Sequence, residues 1–194
     1  SAASDVYKRQ IQFSTFNAGA VETEGFEADM LWYTDIEGLT LRGQFAWTDA
    51  VNTGDFFNTS GVNLKGSERS YSPEIAGSLG LSYDSSLFSG WRYTFSTDAR
   101  YSDDYAWGVY RNSPRQDSYW INDAAISIYS EDGKHSINLI GRNLGDEIVI
   151  VTGGSTPGRI GTRTVPGIEA ALLQDQNVTT QQGRTVTLQY KYKM

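Results

Sequence analysis

The sequence predicts an all-β fold, an antiparallel transmembrane β-barrel fragment of about eight strands with short periplasmic turns and long extracellular loops. Three observations lead to this prediction. Apolar and polar residues alternate along each segment, the connections between segments are alternately short and long, and aromatic residues stand near segment ends. No run of about 18 apolar residues occurs in the chain, which excludes a transmembrane helix.

The last strand shows the alternation most clearly. In RTVTLQYKYKM every second residue is apolar, and threonine, glutamine and lysine fill the places between. A period of two indicates a strand with one apolar and one polar face. In hydrocarbon a sheet must pair its backbone within the protein, so a barrel turns the apolar face to lipid and the polar face to its lumen. The residues predicted to face lipid are Val186, Leu188, Tyr190, Tyr192 and Met194.

The first half of the chain repeats this pattern. GFEADMLWY predicts a strand over 25–33, and the short turn TDIEG leads to a strand over 39–48. A polar loop over 49–73 precedes the strand over 77–83. The short connection DSSLFSG then leads to a strand that begins at Trp91 and ends near Ser102.

The second half continues in the same way. After a loop from roughly Asp103 to Asp117, the segment SYWINDAAISIYS alternates again. The turn EDGK has Asp-Gly at its centre, as tight hairpins prefer, and reverses the chain into a strand that includes 137–143. A loop over 151–183 precedes the last strand, and its IEAALLQ centre predicts one short helix.

Loop lengths and aromatic positions favour a membrane barrel over a soluble sandwich. A barrel has tight turns on one side of the membrane and long loops on the other, whereas a sandwich has no reason to sort its connections by length. Aromatic side chains near strand ends are typical of the two membrane interfaces. The residues predicted to form these girdles are Trp47, Trp91, Tyr101, Trp120 and Tyr192.

Composition excludes several kinds of site. The chain has no cysteine and one histidine, which removes disulfides, thiol nucleophiles and metal sites built from several His or Cys, so no metal and no cofactor is predicted. His135, in EDGKH, is interpreted as a solvated turn residue. The formal net charge of −7 argues against a nucleic-acid partner, which needs a basic face. Residues 1–10, SAASDVYKRQ, do not continue the pattern and are predicted to be a non-native segment derived from a cloning or sequencing adapter.

Four motifs in order resemble one family. They are FNAGAVETEGFEADMLWYTDIEGLTLRGQFAWTDA, GSERSYSPEIAGSLGLSYD, INLIGRNLGDE and the closing GRTVTLQYKYKM. Together they are similar to the barrel of TonB-dependent outer-membrane receptors, and residues 11–194 resemble the carboxy-terminal portion of such a barrel. Gly145 stands where the family more often has an aromatic residue, and Met194 stands where it usually ends in Phe. In the GRNLGDE motif, Arg142, Asn143 and Asp146 are predicted to have structural roles.

The resemblance implies active uptake of a scarce ligand, such as a ferric siderophore, across the outer membrane of a Gram-negative bacterium. The family couples to TonB through an amino-terminal plug and a TonB-contacting segment, which we expect to lie outside this sequence. The implied partners are TonB, outer-membrane lipid and a small-molecule ligand such as a metal chelate. Ligand contacts are expected on the outer loops, where aromatic rings could stack on a ligand and arginines could pair with an anionic group. The residues predicted for this role are Phe56, Phe57, Tyr71, Trp107, Tyr110, Arg111 and Arg115.

Other interpretations stay open at this point. The same loop aromatics would also suit the outer membrane interface, with the arginines solvated or touching lipopolysaccharide. A passive porin or an outer-membrane adhesin would share the barrel, and a soluble β-sandwich binding module would share the alternation. An enzyme is not predicted, because the adjacent pairs Asp103–Asp104 and Asp146–Glu147 direct their side chains to opposite sides.

Overall fold

The computed structural model describes residues 19–58, 61–108, 114–155 and 176–193. Strands are the regular elements of these ranges, and no helix with the length and hydropathy of a membrane span occurs in them. In chain order the strands are β1 (Val21–Tyr33), β2 (Leu39–Asn52), β3 (Ile75–Phe88), β4 (Trp91–Ser102), β5 (Tyr105–Ala106), β6 (Arg115–Gln116), β7 (Tyr119–Ser130), β8 (His135–Arg142), β9 (Ile150–Ser155), β10 (Gln176–Thr180) and β11 (Thr185–Tyr192).

Seven of these strands form one open antiparallel sheet. Its order is β1-β2-β3-β4-β7-β8-β11, and two small hairpins, β5-β6 and β9-β10, stand outside it. Within the described ranges β1 and β11 are the sheet edges, so the prediction of an antiparallel barrel fragment is confirmed in the form of an open sheet. Because seven is odd, β1 and β11 run in the same direction and could not close this sheet as neighbours in an antiparallel ladder.

The connections separate by length between the two ends of the sheet. Turns over 34–38, 89–90 and 131–134 lie at one end, which we call the short-turn end. The described parts of the connections over 53–74, 103–118 and 143–184 lie at the other, the long-loop end. The alternation of loop lengths predicted from the sequence is therefore present.

The turn between β7 and β8 illustrates how the sequence makes the short connections. Gly133 has φ of 70°, a conformation that glycine adopts without steric cost, and its N–H donates to the Ser130 carbonyl at 2.9 Å. The Asp132 carboxylate accepts from the Ser130 hydroxyl at 2.6 Å and from the Lys134 N–H at 3.0 Å. The Asp-Gly sequence thus closes a tight hairpin, as predicted.

Strand register brings apolar residues together on one face of the sheet. Phe26 pairs with Trp47, Leu79 with Gly43 and Ala99, and Leu188 with Leu139. Following these pairs from strand to strand gives one continuous apolar face. It carries Phe26, Met30, Trp32, Leu41, Phe45, Trp47, Leu79, Leu81, Tyr83, Tyr93, Phe95, Tyr101, Trp120, Ile126, Ile128, Ile137, Leu139, Val186, Leu188, Tyr190 and Tyr192.

This apolar face is exposed, which contradicts a soluble sandwich. Leu79 is 63% exposed, Leu188 is 73% exposed and Phe95 is 39% exposed. A sandwich would bury such residues against a second sheet, and within the described residues the only other sheets are the two small hairpins.

The structure also departs from the sequence-based predictions in detail. β3 continues to Phe88, so the predicted connection DSSLFSG is mostly strand and only 89–90 form the turn. The long connections are not free of structure, because they contain β5-β6 and β9-β10. His135 is the first residue of β8 and is half-buried, so its interpretation as a solvated turn residue is wrong. The helix predicted in IEAALLQ and the adapter segment over 1–10 lie outside the described residues.

Candidate functional site

Two belts of aromatic rings border the apolar face. At the long-loop end of β4 and β7, the ring centroids of Tyr101 and Trp120 are 5.0 Å apart, and those of Phe26 and Phe45, in the middle of β1 and β2, are 5.5 Å apart. Near the short-turn end the pairs are Tyr83–Tyr93 at 6.0 Å, Phe88–Trp91 at 6.1 Å and His135–Tyr192 at 5.1 Å. The strip between the belts carries mostly aliphatic side chains, with Phe95 among them.

The opposite face of the sheet carries paired charges. The Arg100 guanidinium donates to Asp123 at 2.8 Å and lies 3.6 Å from an Asp98 oxygen. Closer to the short-turn end, Asp84 accepts from Thr94 at 2.8 Å, from Tyr129 at 2.5 Å and from Arg92. We call this side the polar face.

A shallow depression on the polar face lies near the β1 edge. It has a volume of about 400 Å³, and Glu27, Asp29, Gln44, Ser78 and Arg100 contribute its polar lining. The Ser78 hydroxyl donates to the Gln44 side chain at 3.2 Å. The polar face can therefore hold water or polar groups, whereas the polar atoms of the apolar face belong mostly to aromatic residues such as Trp47 and Tyr190.

The connections at the long-loop end pack together around Trp107. We call these connections, described over 53–58, 61–74, 103–108, 114–118, 143–155 and 176–184, the loop layer. Trp107 is 4% exposed, and its ring lies against the backbone of Gly153, where an added Cβ would come within 2.3 Å of ring carbons. The Gly153 N–H donates to the Tyr71 hydroxyl at 3.2 Å. The glycine is required here because any side chain would occupy the place of the ring.

Tyr105 joins the same three connections by hydrogen bonds. Its ring centroid lies 6.0 Å from that of Tyr71, and its hydroxyl donates to the Ile150 carbonyl at 3.0 Å. The Ile150 N–H donates to the Gln116 side chain at 2.9 Å, and the Tyr71 N–H donates to the Ala106 carbonyl at 2.8 Å. Burial raises the pKa of Tyr105 to about 12, because the phenolate would lose its hydration.

Arg115 forms the main ionic contact of the loop layer. Its Nε donates to Asp104 at 2.6 Å, and its Nη1 donates to Glu68 from the preceding connection. Burial works to lower the pKa of the Arg115 guanidinium, but the two carboxylates more than offset it, so the pKa is raised. The arginine therefore stays charged and ties two connections together.

The residues predicted to contact ligand do not form one cluster. Trp107, Tyr71 and Arg115 come together within the loop layer, with Trp107 buried and Tyr71 44% exposed. Phe56 is half-buried and Phe57 is 58% exposed. Tyr110 and Arg111 lie outside the described residues, as does Met194 of the predicted lipid-facing set. The ligand-contact role of these residues stays a prediction.

The GRNLGDE motif joins strands β7 and β11 to the connection that follows β8 by hydrogen bonds. Asn143 is 5% exposed with φ of 48°, and its backbone N–H donates to the Asp123 carboxylate at 2.7 Å. Its side-chain amide donates to the Glu147 carbonyl at 2.8 Å and accepts from the Glu147 N–H at 2.9 Å. Asp146 accepts from the Arg184 N–H at 2.9 Å, which fixes the start of β11. These contacts match the structural role predicted for Asn143 and Asp146.

The residues that organise the loop layer were mostly missed by reasoning from the sequence. Glu68, Gly153 and Gln116 find partners that lie far away in the chain, such as Gly153 with Tyr71 at a separation of 82 residues. No local pattern reports such pairs. The one available signal was glycine itself, in TGGS, which suggests a place where another group comes close to the backbone.

Comparison with known proteins agrees with this architecture. No curated protein sequence matches the chain. Among solved structures, the siderophore receptor PiuA from Acinetobacter baumannii matches with a TM-score of 0.62 and 18% sequence identity. The match covers 89% of this chain and 22% of that receptor, so the chain spans about a fifth of the receptor's length. The family model described as TonB dependent receptor-like, beta-barrel matches residues 2–144. The chain therefore belongs to the TonB-dependent receptor β-barrel family, as its motifs predicted.

Proposed function

We propose that the chain forms the carboxy-terminal wall of a TonB-dependent receptor barrel in the outer membrane of a Gram-negative bacterium, which takes up a scarce ligand such as a ferric siderophore. The family consists of receptors and transporters, and no enzymatic role is proposed. The observation that carries the proposal is the exposed apolar face bordered by aromatic belts on one sheet.

The dimensions of the apolar face suit a bilayer. Tyr101 and Tyr93, in opposite belts, are separated by eight residues of β4, or about 27 Å along a strand. At a strand tilt of roughly 40°, this length covers about 21 Å of the membrane normal, close to the apolar band of about 25 Å on outer-membrane barrels. Lipid would cover the face that no other protein layer covers here.

The two ends of the sheet give the proposed orientation. Short turns are typical of the periplasmic side of outer-membrane barrels and long loops of the outer side. The loop layer would then face the medium, and the depression on the polar face would line the lumen. A lumen wall in contact with water is consistent with the paired charges around Arg100.

A transport role requires parts beyond this sheet. The open edges at β1 and β11 need neighbouring strands before the wall is continuous in lipid. Coupling to TonB belongs to the amino-terminal part of such receptors, so TonB is proposed as a partner of the complete protein. We expect that this chain alone transports nothing.

The exposure of the side chains reduces the set of residues that we propose to contact the ligand. Arg115 already pairs with two carboxylates, and Trp107 packs on Gly153, so both are engaged within the loop layer. Among the described residues of the predicted set, Phe57 and Tyr71 are the exposed aromatic residues. We propose that these two rings are the first points of ligand contact, by stacking on planar groups of a metal chelate.

The membrane position is tested by cysteine scanning, because the chain has no cysteine of its own. Leu188→Cys and Gln189→Cys, adjacent in β11, are introduced into the protein of the complete gene, whose cysteines elsewhere are replaced, and are labelled with a fluorophore in phosphatidylcholine vesicles. A lipid-borne quencher should quench the label at Leu188 and an aqueous quencher the label at Gln189. Equal aqueous quenching at both positions would contradict the barrel.

The ligand role is tested in the complete gene, recovered by reading upstream of this sequence. Iron-limited cells that lack other receptors should grow on a ferric siderophore when they carry the gene. Phe57→Ala and Tyr71→Ala should slow that growth, whereas Phe88→Ala at the short-turn end should not. Growth on no ferric chelate, with the protein present in the outer membrane, would contradict the siderophore proposal.

A further inference from the structure

The alternation of apolar and polar residues breaks down on the polar face of β1. Glu27 and Asp29 line the depression of that face, and strand alternation places Leu31 and Tyr33 on the same side. Leu31 is 56% exposed and Tyr33 is 75% exposed. An aliphatic and an aromatic side chain therefore stand exposed, two residues apart, on a face that is mostly polar.

Lipid does not account for these two side chains. In the proposed barrel, lipid covers the opposite face, which carries Met30 and Trp32 of the same strand. The face that carries Leu31 and Tyr33 lines the lumen, where water would meet them. Neighbouring apolar side chains on a wet surface are typical of an interaction site, and tyrosine is enriched among the residues that contribute most to protein interfaces.

A further strand at the free edge of β1 would leave the tips of these side chains uncovered. Such a strand lies in the plane of the sheet, about 4.8 Å from β1, whereas side chains stand roughly perpendicular to that plane. It would cover one flank of Leu31 and of Tyr33. Cover for the tips requires a group within the lumen.

Arg42 adds a charge beside the two apolar side chains. It pairs with Leu31 in the ladder of β1 and β2, and it is exposed. Its guanidinium lies over Gly80, where an added Cβ would come within 3.2 Å of Nε. On the other side of Gly80, Asp98 lies 3.6 Å from Arg100, and none of the ion pairs of the described residues includes Arg42. The Arg42 guanidinium is thus available to a carboxylate from outside this chain.

We propose that Leu31, Tyr33 and Arg42, which we call the lumen patch, bind a peptide segment of the receptor part that lies outside this chain. That segment presents an apolar side chain to Leu31 and Tyr33 and a carboxylate to Arg42. The match to PiuA covers 22% of that receptor, so most of a receptor of that length is available to supply the segment. This inference rests on the proposed function.

The position favours a peptide segment over the transported ligand. The proposed ligand contacts, Phe57 and Tyr71, belong to the loop layer, whereas Tyr33 is the last residue of β1 and precedes the short turn over 34–38. A transported ligand also leaves the lumen after each cycle. Only a resident group keeps Leu31 and Tyr33 away from water throughout.

The test uses the protein of the complete gene in outer membranes. Tyr33 is replaced with the photoreactive amino acid p-benzoylphenylalanine, which keeps an aromatic side chain, and the crosslinks are mapped by mass spectrometry. Irradiation should join this position to a segment encoded upstream of this chain, other than the strand that directly precedes β1. The same probe at Trp32, adjacent in β1 but on the apolar face, should join to no such segment.

Hydrogen exchange of the crosslinked segment then measures what each residue of the lumen patch contributes. Leu31→Ala should lower the protection of its amides about tenfold, because an apolar contact is lost. Arg42→Gln should lower it about threefold, and Arg42→Lys, which keeps the charge, should lower it less. Met30→Ala, next to Leu31 but on the apolar face, should leave the protection unchanged.

Three outcomes would overturn the inference. One is a crosslink from Tyr33 only to the strand that precedes β1, which would mean that this strand covers the ring. Another is an equal loss of protection with Met30→Ala, which would indicate a general effect on β1. The third is no crosslink although the quenching at Leu188 indicates insertion, in which case the lumen patch fails and the barrel proposal stands. If Leu188 is not in lipid, the barrel proposal itself fails.

Discussion

The sheet and the loop layer differ in whether they bury large apolar residues. In the sheet the large side chains of the apolar face are exposed, with Val186 at 66% and Leu188 at 73%. The loop layer has exposed apolar residues as well, such as Ile148 at 71%, but it also buries Trp107 at 4% and Leu64 and Val149 each at 2%. A water-soluble protein shows the reverse, with buried strands and open loops. This difference supports the proposal that lipid covers the apolar face of the sheet, whereas the loop layer has a small core of its own.

The two regions also hold their backbones together differently. The sheet depends on ladder hydrogen bonds between neighbouring strands, which every residue type except proline can donate and accept. The loop layer depends on particular side chains, such as Tyr105 with Ile150 and Trp107 with Gly153. We therefore expect substitutions in the loop layer to change stability through packing. In the sheet, we expect the effect of a substitution to depend on whether the residue lies on the apolar or the polar face.

The largest expected effect is at Trp107. Trp107→Ala removes the ring that packs on Gly153 and should destabilise the loop layer by about 3–5 kcal/mol, as for other buried aromatic residues. Hydrogen exchange of the amides in β5 and β9 measures the loss. The sheet amides of β3 should keep their protection, and a uniform loss over both regions would contradict the separation. Trp107→Phe, which keeps an aromatic ring, serves as the milder control.

The second prediction compares the two faces of β11. Leu188→Arg places a charge on the apolar face and should cost about 2–4 kcal/mol in a bilayer. Gln189→Arg, one residue later on the polar face, should cost much less. Urea unfolding of the complete receptor in phosphatidylcholine vesicles, followed by tryptophan fluorescence, measures both. Equal costs at the two positions would refute the assignment of the faces.

The third prediction concerns glycine. Gly153→Ala puts a Cβ where the Trp107 ring lies and should destabilise the loop layer by about 1–3 kcal/mol through overpacking. Gly145 has no atom within 4 Å of its Cβ position, so Gly145→Ala should be close to neutral. Hydrogen exchange in β9 reports both changes. If the two substitutions have equal effects, Trp107 is not held by close packing on Gly153.

The sheet could be predicted from the sequence because its strands and turns are marked by patterns within short segments of the chain. A period of two marks a strand wherever it occurs, and the Asp-Gly of EDGK marks its turn. The structural role of Asn143 could also be predicted, because its partner Glu147 lies within the same motif. Strand ends were less predictable: Ser85 and Ser86 pair with Tyr93 and Arg92, although a serine pair suggests a turn.

The loop layer could not be predicted because its contacts join distant parts of the chain. Tyr71 meets Gly153 across 82 residues, and Glu68 meets Arg115 across 47. Aromatic and arginine residues in loops are typical of ligand sites, but loops that pack on one another carry the same residue types. The sequence alone does not distinguish the two. His135 was misplaced for a similar reason, since its ring partners Trp91 and Tyr190 come from other strands.

The smallest expected effect is a pH dependence of stability that belongs to the loop layer and not to the sheet. The pKa of Tyr105 is raised to about 12 from a usual 10.0, so the folded loop layer prefers the neutral phenol. Its stabilising effect is complete below pH 10 and is lost as the pH rises from 10 to about 12. Tyr105→Phe should cost about 0.5–1.5 kcal/mol below pH 10, for the hydrogen bond to Ile150, and should abolish that pH-dependent loss.

The measurement is hydrogen exchange in β9 as a function of pH, corrected for the intrinsic exchange rate, for both proteins. The wild type should lose protection over this range faster than Tyr105→Phe does. Protection of β3 should show no difference between the two, because the sheet does not depend on the Tyr105 phenol. If the curves for β9 coincide, Tyr105 ionises without opening the loop layer, and its burial does not contribute to the order of these connections.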